Sequence, residues 1–426
     1  MSDIVRVKVR SRGPRSRRGK SSASKVSKFA AKFPKTARFL RKVKGAFKKH
    51  RFFFTMGCCL FAWAILALLF TLFPSLALFY SNTIGHFIRT TIGTLFSLLP
   101  FSGGESLFYA FLLFLPVWIC FLFSALKRKY ALRRIHTKMR RVLLAPISVL
   151  LIVLTIFCFA FAPSYQRPAV SDILGLDPEN IYDKDLYDTL EYFVNEINKD
   201  VNDLSYGNDG SSIMPMKFNE LADEINHTYQ SMDEYPSLCP TIGVPAKSFL
   251  FSEMMTAFNI GGIYTFYTGE ANVNVHVPDY KIPYFTAHES AHAHGIASED
   301  EANFVAFAVC SASTNSYIRY SGHLSALETI VNELNKTIAK MKTENPEYAA
   351  AISETVNEIL SKLNENVRSE LKAWESFWSQ NRNEVLYDVT DDLNNTYLKS
   401  QGEAAGTDSY NYLTALVVNF YKHYIA

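Results

Sequence analysis

Residues 285–304 read FTAHESAHAHGIASEDEANF, and the rest of the chain can be understood around this stretch. His288 and His292 lie four positions apart, so on a helix both imidazoles project from the same face, one turn apart. Gly295 is suited to end that helix, because glycine tolerates the left-handed conformation at a helix C-terminus. Ser298 then precedes three consecutive acids, a pattern typical of the start of another helix. The stretch therefore predicts two helices joined by a short turn.

Glu289 lies between the two histidines and completes an HExxH motif. Two imidazoles on one helical face can bind a single Zn²⁺, and the glutamate lies where it can take a proton from a water molecule. In a structural alternative, Thr286-x-x-Glu289 is a capping box and the histidines are solvated on a first helical turn, without a metal. The residues around the motif favour the metal-binding interpretation.

A third metal ligand is needed, because a catalytic zinc site has three protein ligands and one open position. The acidic cluster at residues 299–301 is the nearest source, and Glu299 is the preferred candidate. Glu301 is the alternative, although Ser298-x-x-Glu301 also has the form of a capping box, which would give Glu301 a structural role. Asn303 would lie one turn beyond Glu299, where its amide could orient a ligand histidine.

Two β-strands are predicted upstream of the motif, at Gly262–Tyr267 (GIYTFY) and at Asn272–Val277 (NVNVHV), the second from its alternation of polar and apolar residues. A zinc peptidase holds an extended substrate along an edge strand by backbone hydrogen bonds. Gly262, Ile263 and Tyr264 are therefore candidate substrate-binding residues. Glu270, in the turn between the strands, could also orient substrate, or it could be an ordinary turn acid.

Helical periodicity surrounds these strands. The predicted helical segments are residues 186–197, 216–229, 324–341, 348–378 and 410–424. Tyr320 and His323 come shortly before the long C-terminal helices, and either could donate a hydrogen bond to a tetrahedral oxyanion or simply pack between helices. The expected fold class is α+β, with transmembrane helices followed by a mainly helical zincin-like domain that has a small β-sheet beside the HExxH helix.

Three uncharged apolar segments precede this domain, and each is long enough to cross a bilayer as a helix. We predict spans at about residues 53–79, 107–126 and 142–162. A fourth span is possible, because the boundaries around residues 74–106 are poorly marked. The shorter apolar run at 91–101 favours an interfacial or re-entrant segment.

The charges of the chain are strongly segregated. Residues 1–51 contain 19 Lys or Arg and one acid, residues 127–141 contain eight Lys or Arg and no acid, and residues 164–426 contain 38 acidic and 16 basic residues. Basic residues close to membrane spans stay on the cytoplasmic side. We therefore predict a cytoplasmic arm (1–51), a membrane domain (52–163) and an extracytoplasmic domain (164–426) in the cell membrane.

The basic arm combines Lys and Arg with several Phe residues in its second half, which suits binding to anionic lipids. A tail that only sets the topology is the alternative, and nucleic-acid binding is not expected, since no nucleic-acid-reading module accompanies the charge. Cys239 and Cys310, the cysteines of the C-terminal region, could form one disulfide or remain two free thiols.

The motif followed by Glu299 resembles the gluzincin metallopeptidases, whose third zinc ligand is a helical glutamate with an acid or amide four residues later. Only six residues separate His292 from Glu299, fewer than in most gluzincins. The segments GGIYTFYTGEANVNV, HESAHAHGIASEDEANFVAF and YIRYSGHLSALE resemble an uncharacterised family of bacterial multi-pass membrane proteins that carries a metallopeptidase motif. These resemblances imply a zinc-dependent peptidase acting on a peptide or protein substrate, with Glu289 as general base.

The competing interpretation is a non-catalytic membrane sensor or assembly protein, in which the metal is structural or absent and the long C-terminal helices bind a partner. A closed site with His294 or a second carboxylate as fourth ligand would favour that class.

Overall fold

The structure is a computed structural model that describes residues 51–132, 137–178, 181–232, 238–240, 242–381 and 410–426. The predictions for the basic arm, including lipid binding, fall outside the described residues except for Arg51. The described helices are α1 (Arg51–Leu72), α2 (Pro74–Tyr80), α3 (His86–Ser97), α4 (Gly103–Leu132), α5 (Thr137–Ala160), α6 (Val170–Leu174), α7 (Asp183–Asp200), α8 (Phe218–Ser231), α9 (Ser252–Ala257), α10 (Lys281–His294), α11 (Glu299–Ala312), α12 (Ser316–Glu344), α13 (Pro346–Ser361), α14 (Glu365–Asn381) and α15 (Tyr410–Phe420). The described strands are β1 (Ser205–Tyr206), β2 (Ser212–Ile213), β3 (Lys247–Ser248), β4 (Gly262–Thr265) and β5 (Glu270–Val273).

Among the described residues, three helices are long and apolar enough to cross a membrane: Arg51–Leu72, Gly103–Lys127 and Val142–Ala160. Their apolar side chains are almost entirely unburied by the rest of the protein, as expected of helices whose surroundings are lipid tails. The prediction of three apolar membrane helices is confirmed. The first ends at Leu72 rather than Phe79, because a new helix starts at Pro74, whose ring nitrogen has no hydrogen to continue the bonding of the first.

The segment between the first two spans is helical from Pro74 to Ser97, with one π-helical turn at Ser81–Gly85. Its buried side includes a row with four-residue spacing, formed by Ala77, Ser81, Gly85, Arg89 and Gly93. Mostly small residues at this spacing let another backbone approach closely. The segment is therefore one interrupted helix that packs on the C-terminal region, longer than the interfacial piece predicted at 91–101.

The C-terminal region is built from helices around a large apolar core, with α10, α11 and α12 packed against one another near its centre. The helices predicted at 186–197 and 216–229 correspond to α7 and α8. The predicted helix at 348–378 is instead two helices, α13 and α14, because the chain turns between Ser361 and Glu365. With its small sheets, this mainly helical arrangement confirms the α+β class.

The sheet beside α10 has the strand order β3–β5–β4, with β3 parallel and β4 antiparallel to β5. The alternation of polar and apolar residues in the second predicted strand does not expose its polar side chains, because Asn272 and Asn274 are both fully buried. Their side-chain amides donate to backbone oxygens of Ile263 and Ile260, so burial leaves neither amide nitrogen unsatisfied. The buried strand β5 therefore leaves β4 as the edge of this sheet on the side of α10.

Candidate metal centre

Helix α10 carries the HExxH motif well inside its length. It starts at Lys281, five residues before Thr286, whose hydroxyl donates to the Ile282 carbonyl at 2.7 Å within the helix. The capping-box alternative for Thr286 is therefore wrong. The helix ends as the sequence predicts, with Gly295 in the left-handed conformation at φ 100° and the Ile296 amide bonded back to the Ala291 carbonyl at 3.0 Å.

The two motif histidines and Glu299 form a compact cluster. The Nε2 atoms of His288 and His292 are 3.2 Å apart, and Glu299 Oε2 is 3.1 Å from His288 Nε2. Glu299 Oε1 is 3.6 Å from His292 Nε2. Tetrahedral zinc with bonds of about 2.0–2.1 Å holds its ligand atoms about 3.3 Å from one another. The three donors therefore have the spacing that one Zn²⁺ requires.

The orientation of His292 also suits a metal ligand. Its Nδ1 lies 2.8 Å from the Ile296 carbonyl, which assigns the proton to Nδ1 and turns the Nε2 lone pair toward the cluster. The Nδ1 of His288 is buried and has no hydrogen-bond partner among the described residues. The cluster opens to solvent through Glu299, whose side chain is 36% exposed, so a fourth coordination position is accessible.

The cluster favours positive charge. Burial lowers the pKa of His292, but the Glu299 carboxylate outweighs burial and raises that pKa to about 9. Burial raises the pKa of Glu299, but the two histidines outweigh it and hold that pKa well below its usual range. A site that retains a proton against the cost of burial is electrostatically suited to a divalent cation.

Glu289 is buried beside the cluster and against strand β4. Burial raises the pKa of its carboxyl, and the nearby Tyr264 backbone amide opposes that rise. An added Cβ at Gly262 would lie 2.4 Å from Glu289 Cγ, so only glycine leaves room for this side chain. Of the predicted substrate-binding residues on this strand, Gly262 contacts the proposed base and Tyr264 lies near it, and Ile263 between them is 39% exposed.

The alternative ligand Glu301 has another partner. Its Oε1 accepts from the Val170 amide at 2.7 Å, at the start of α6. Ser298 is the N-cap residue of α11, as predicted, but makes no side-chain capping bond, so the capping box with Glu301 is not formed. The Asn303 amide oxygen accepts from the Tyr284 hydroxyl at 3.3 Å. Asn303 was predicted to orient a ligand histidine by a hydrogen bond. For His292, the partner in that hydrogen bond is instead the Ile296 carbonyl.

Tyr320 and His323 have partners outside the metal cluster. The Tyr320 hydroxyl donates to Glu370 Oε2 at 2.5 Å, and the pKa of Tyr320 is raised by burial and by that carboxylate. His323 Nδ1 lies 3.6 Å from Asp200 Oδ2, and its ring packs on Phe193 at 5.8 Å between centroids. These contacts explain both residues as parts of the helical core, and the oxyanion role stays a prediction.

Glu270 connects the sheet to the second span. Its carboxylate accepts from the amides of Gly103 and Gly104, at 3.1 and 2.8 Å, and from Lys247 Nζ at 2.9 Å. A carboxylate on the exposed amides at a helix N-terminus also interacts favourably with the helix dipole. Glu270 is therefore joined to the first turn of α4.

Two further residues were missed by sequence reasoning, Arg89 and Glu105. The Arg89 guanidinium donates to the carbonyls of Ala293 and His294 at the end of α10, at 3.1 and 3.3 Å, and to Ala160 at the end of α5, at 2.7 Å. The Glu105 carboxylate accepts from two amides that precede α9. Both residues could have been singled out from the sequence, because each is an isolated charge in otherwise uncharged apolar sequence.

His294 and the two cysteines of the C-terminal region are buried and structural. His294 stacks on Tyr229 at 4.2 Å, and its Nδ1 is bonded to the Pro240 carbonyl. Burial lowers the pKa of His294 to about 4, so the ring is neutral. Cys239 and Cys310 are free thiols, which decides between the two alternatives left open by the sequence.

Fold and site together define a membrane-associated, mainly helical protein with a His-His-Glu cluster beside a small sheet. A family model described as "Protein of unknown function (DUF3810)" matches residues 80–418, well over half of the chain, and the chain belongs to this family. The expected membership in an uncharacterised family is thereby confirmed. No curated protein and no solved structure shows significant similarity. The resemblance to gluzincins rests on the motif residues alone.

Proposed function

We propose that the protein is a membrane-anchored zinc metallopeptidase whose active site faces the extracytoplasmic side. The observation that carries the proposal is the cluster of His288, His292 and Glu299, whose ligand atoms all lie within 4.8 Å of one another. Glu289 next to this cluster supplies the base that a purely structural metal site does not need.

The chemistry divides between the metal and the chain. A zinc ion bound by the three ligands would polarise a water molecule and the scissile carbonyl. Glu289 takes a proton from that water and then delivers it to the leaving amine. Burial supports this role, because a raised carboxyl pKa brings the group closer to the pH at which it must both accept and donate a proton.

Strand β4 is suited to align the peptide. The Asn274 amide donates to the Gly261 carbonyl, so the bonded pairs of the antiparallel ladder fall at residues 261, 263 and 265. The backbone groups of Gly262 and Tyr264 therefore point away from β5, toward α10. An extended substrate added along this edge would pass beside Glu289.

The orientation in the membrane follows from the basic segments that flank the spans. Contacts at the other ends of the helices support it. Gly103, at the start of α4, donates its amide to Glu270 of the C-terminal region. Ala160, at the end of α5, accepts from Arg89, whose guanidinium also bonds to the end of α10. These contacts support a placement of the metal cluster on the side of the membrane opposite the basic loop.

The test is metal analysis of the purified full chain in detergent micelles, beside the His288→Ala/His292→Ala variant. The full chain is required because Arg89 and Glu105 bind the C-terminal region. We expect about one zinc per chain, lost in the double variant, and zinc-dependent cleavage of a peptide library that Glu289→Gln abolishes.

A folded chain that takes up no zinc would refute the peptidase. A chain that binds zinc but cleaves nothing, with or without Glu289, would favour the competing membrane sensor with a structural metal site.

A further inference from the structure

We propose that the substrate is a polypeptide segment anchored in the bilayer and cut close to the membrane surface. This inference rests on the proposed function and specifies its substrate class. It follows from how near the edge strand β4 and the metal cluster lie to the ends of the membrane helices.

Strand β4 leads from the proposed base down to the membrane spans. At one end, Gly262 lies against the Glu289 side chain. At the other end, Thr265 is so close to Gly104 that an added Cβ there would meet its hydroxyl at 2.6 Å. Gly104 belongs to the first turn of the span Gly103–Lys127. The strand therefore connects the catalytic position to the level at which a span begins.

The third span reaches the same site. Phe157, within the last turn of that span, packs its ring on Phe266 at 5.1 Å, just beyond β4. Phe161, directly after the span, packs on Tyr264 at 5.3 Å and on the ligand His292 at 6.4 Å. A metal ligand thus contacts the first residue to follow a membrane helix.

The protein surface at this level is apolar. Leu250 and Phe251 donate their backbone amides to Glu105, in the first turn of the second span, at 2.8 and 3.1 Å. Their side chains are nevertheless 75% and 52% exposed, and Met254 beside them is 39% exposed. Large apolar side chains exposed at the height of a span's first turn are suited to the interfacial region of the bilayer.

The length of strand β4 sets the distance between the catalytic position and the bilayer surface. From Gly262 to Thr265 are three residue steps, which span about 10 Å at the rise of a β-strand. A substrate lying along β4 therefore has only about three residues between the bond at Glu289 and the level of the bilayer surface. A segment that emerges from the membrane reaches this position at once and at high effective concentration.

The experiment uses the full chain in liposomes with one randomised peptide cassette presented in three ways. In the near form, the cassette is joined to a single apolar span through a Pro-rich spacer of about 5 residues, and in the far form through one of about 30 residues. The third form is the free cassette. The longer spacer is stiff and extended, so it holds the cassette about 90 Å from the span. Released fragments are quantified by mass spectrometry, and zinc content is measured on the same preparation.

We expect cleavage of the near cassette at least about ten times faster than that of the far cassette, since both share the same anchor but only one reaches β4. Equal cleavage of near and far cassettes by the zinc-loaded chain would overturn this inference and leave the peptidase intact. No cleavage in any arm would refute the peptidase and the inference together.

A second measurement does not depend on activity. A photoreactive benzoylphenylalanine replaces Leu250, or, as control, Glu344, an exposed residue at the end of α12. After illumination in liposomes, lipid adducts are expected at position 250 and not at 344. Absence of adducts at 250 would show that this surface does not lie at the bilayer and would overturn the inference.

Discussion

The cluster of His288, His292 and Glu299 and the cluster around Glu370 are both polar groups of the mainly helical C-terminal region, but their hydrogen bonds differ. Glu370 is fully buried, and both its oxygens accept: Oε1 from the amide and hydroxyl of Ser212, at 2.9 and 2.6 Å, and Oε2 from Tyr320. In the histidine cluster, the Nδ1 of His288 has no hydrogen-bond partner among the residues that the structure describes, and the Glu299 carboxylate is partly exposed.

The difference distinguishes polar groups that stabilise the fold from polar groups that are arranged to bind a ligand. Charged and polar groups that satisfy one another inside the protein are explained by the need to avoid unpaired buried atoms. The histidine cluster instead brings three electron-pair donors to distances that suit a cation and leaves a side open. Tyr320, which the sequence offered as a candidate oxyanion donor, lies with groups of the first kind.

The largest expected effect is that of Glu289→Gln on peptide cleavage. The amide cannot take a proton from water, so we expect a loss of about 10³-fold in rate. Zinc content should stay at the wild-type level, because Glu289 is not one of the three ligands. Wild-type cleavage by the Gln variant would show that the base is another residue.

Glu370→Ala should act on stability instead. The change removes the acceptor of Ser212 and Tyr320 and leaves a cavity, so we expect the free energy of unfolding to fall by about 3 kcal/mol. Thermal unfolding in micelles measures it, with the exposed Glu375→Ala on the same helix as control. If a folded Glu370→Ala protein loses its zinc, the two clusters are not independent.

Gly262→Ala tests the contact between β4 and the base. The new methyl group must displace Glu289, since its position lies 2.4 Å from Glu289 Cγ, and we expect cleavage to fall by about 10- to 100-fold with zinc retained. Gly57→Ala is a matched control, because an added Cβ there meets no atom within 4 Å. Unchanged activity would mean that the position of Glu289 beside β4 is not the productive one.

The sequence predicted the features that depend on local periodicity and length. The three apolar helices, the helical spacing of His288 and His292, and the glycine that ends their helix are of this kind. The sequence favoured Glu299 over Glu301 as the third ligand but could not exclude Glu301. The partner that occupies Glu301 is the amide of Val170, 131 positions away in the chain.

The connections between membrane helices and site could not be predicted for the same reason. Glu270 bonds to Gly103 across 167 positions, and Arg89 to Ala293 across 204. Periodicity carries no information on such pairs. Only the cost of burying a charge does, because an isolated Arg or Glu in apolar sequence must find a partner elsewhere in the fold.

The smallest predicted effect concerns the pH dependence of stability at Glu370. Burial raises the pKa of this carboxyl, and nearby Glu328 acts in the same direction, while the donors from Ser212 and Tyr320 oppose them. With a raised pKa, the folded state binds more protons than the unfolded state between the ordinary pKa of about 4.5 and the folded value. The stability due to this group is therefore complete at low pH and is lost as pH rises through that window.

Glu370→Gln keeps the shape, accepts from Ser212 and cannot titrate, so the difference between wild type and variant isolates the carboxyl. We expect wild type to lose stability relative to the Gln variant as pH rises above the ordinary carboxyl pKa of about 4.5, by at most about 1.4 kcal/mol per pH unit. Unfolding midpoints of both proteins across this range measure the difference. If wild type instead gains stability relative to the Gln variant as pH rises, the three donors outweigh burial. The Glu370 cluster would then, like the histidine cluster, hold its carboxylate in the charged form.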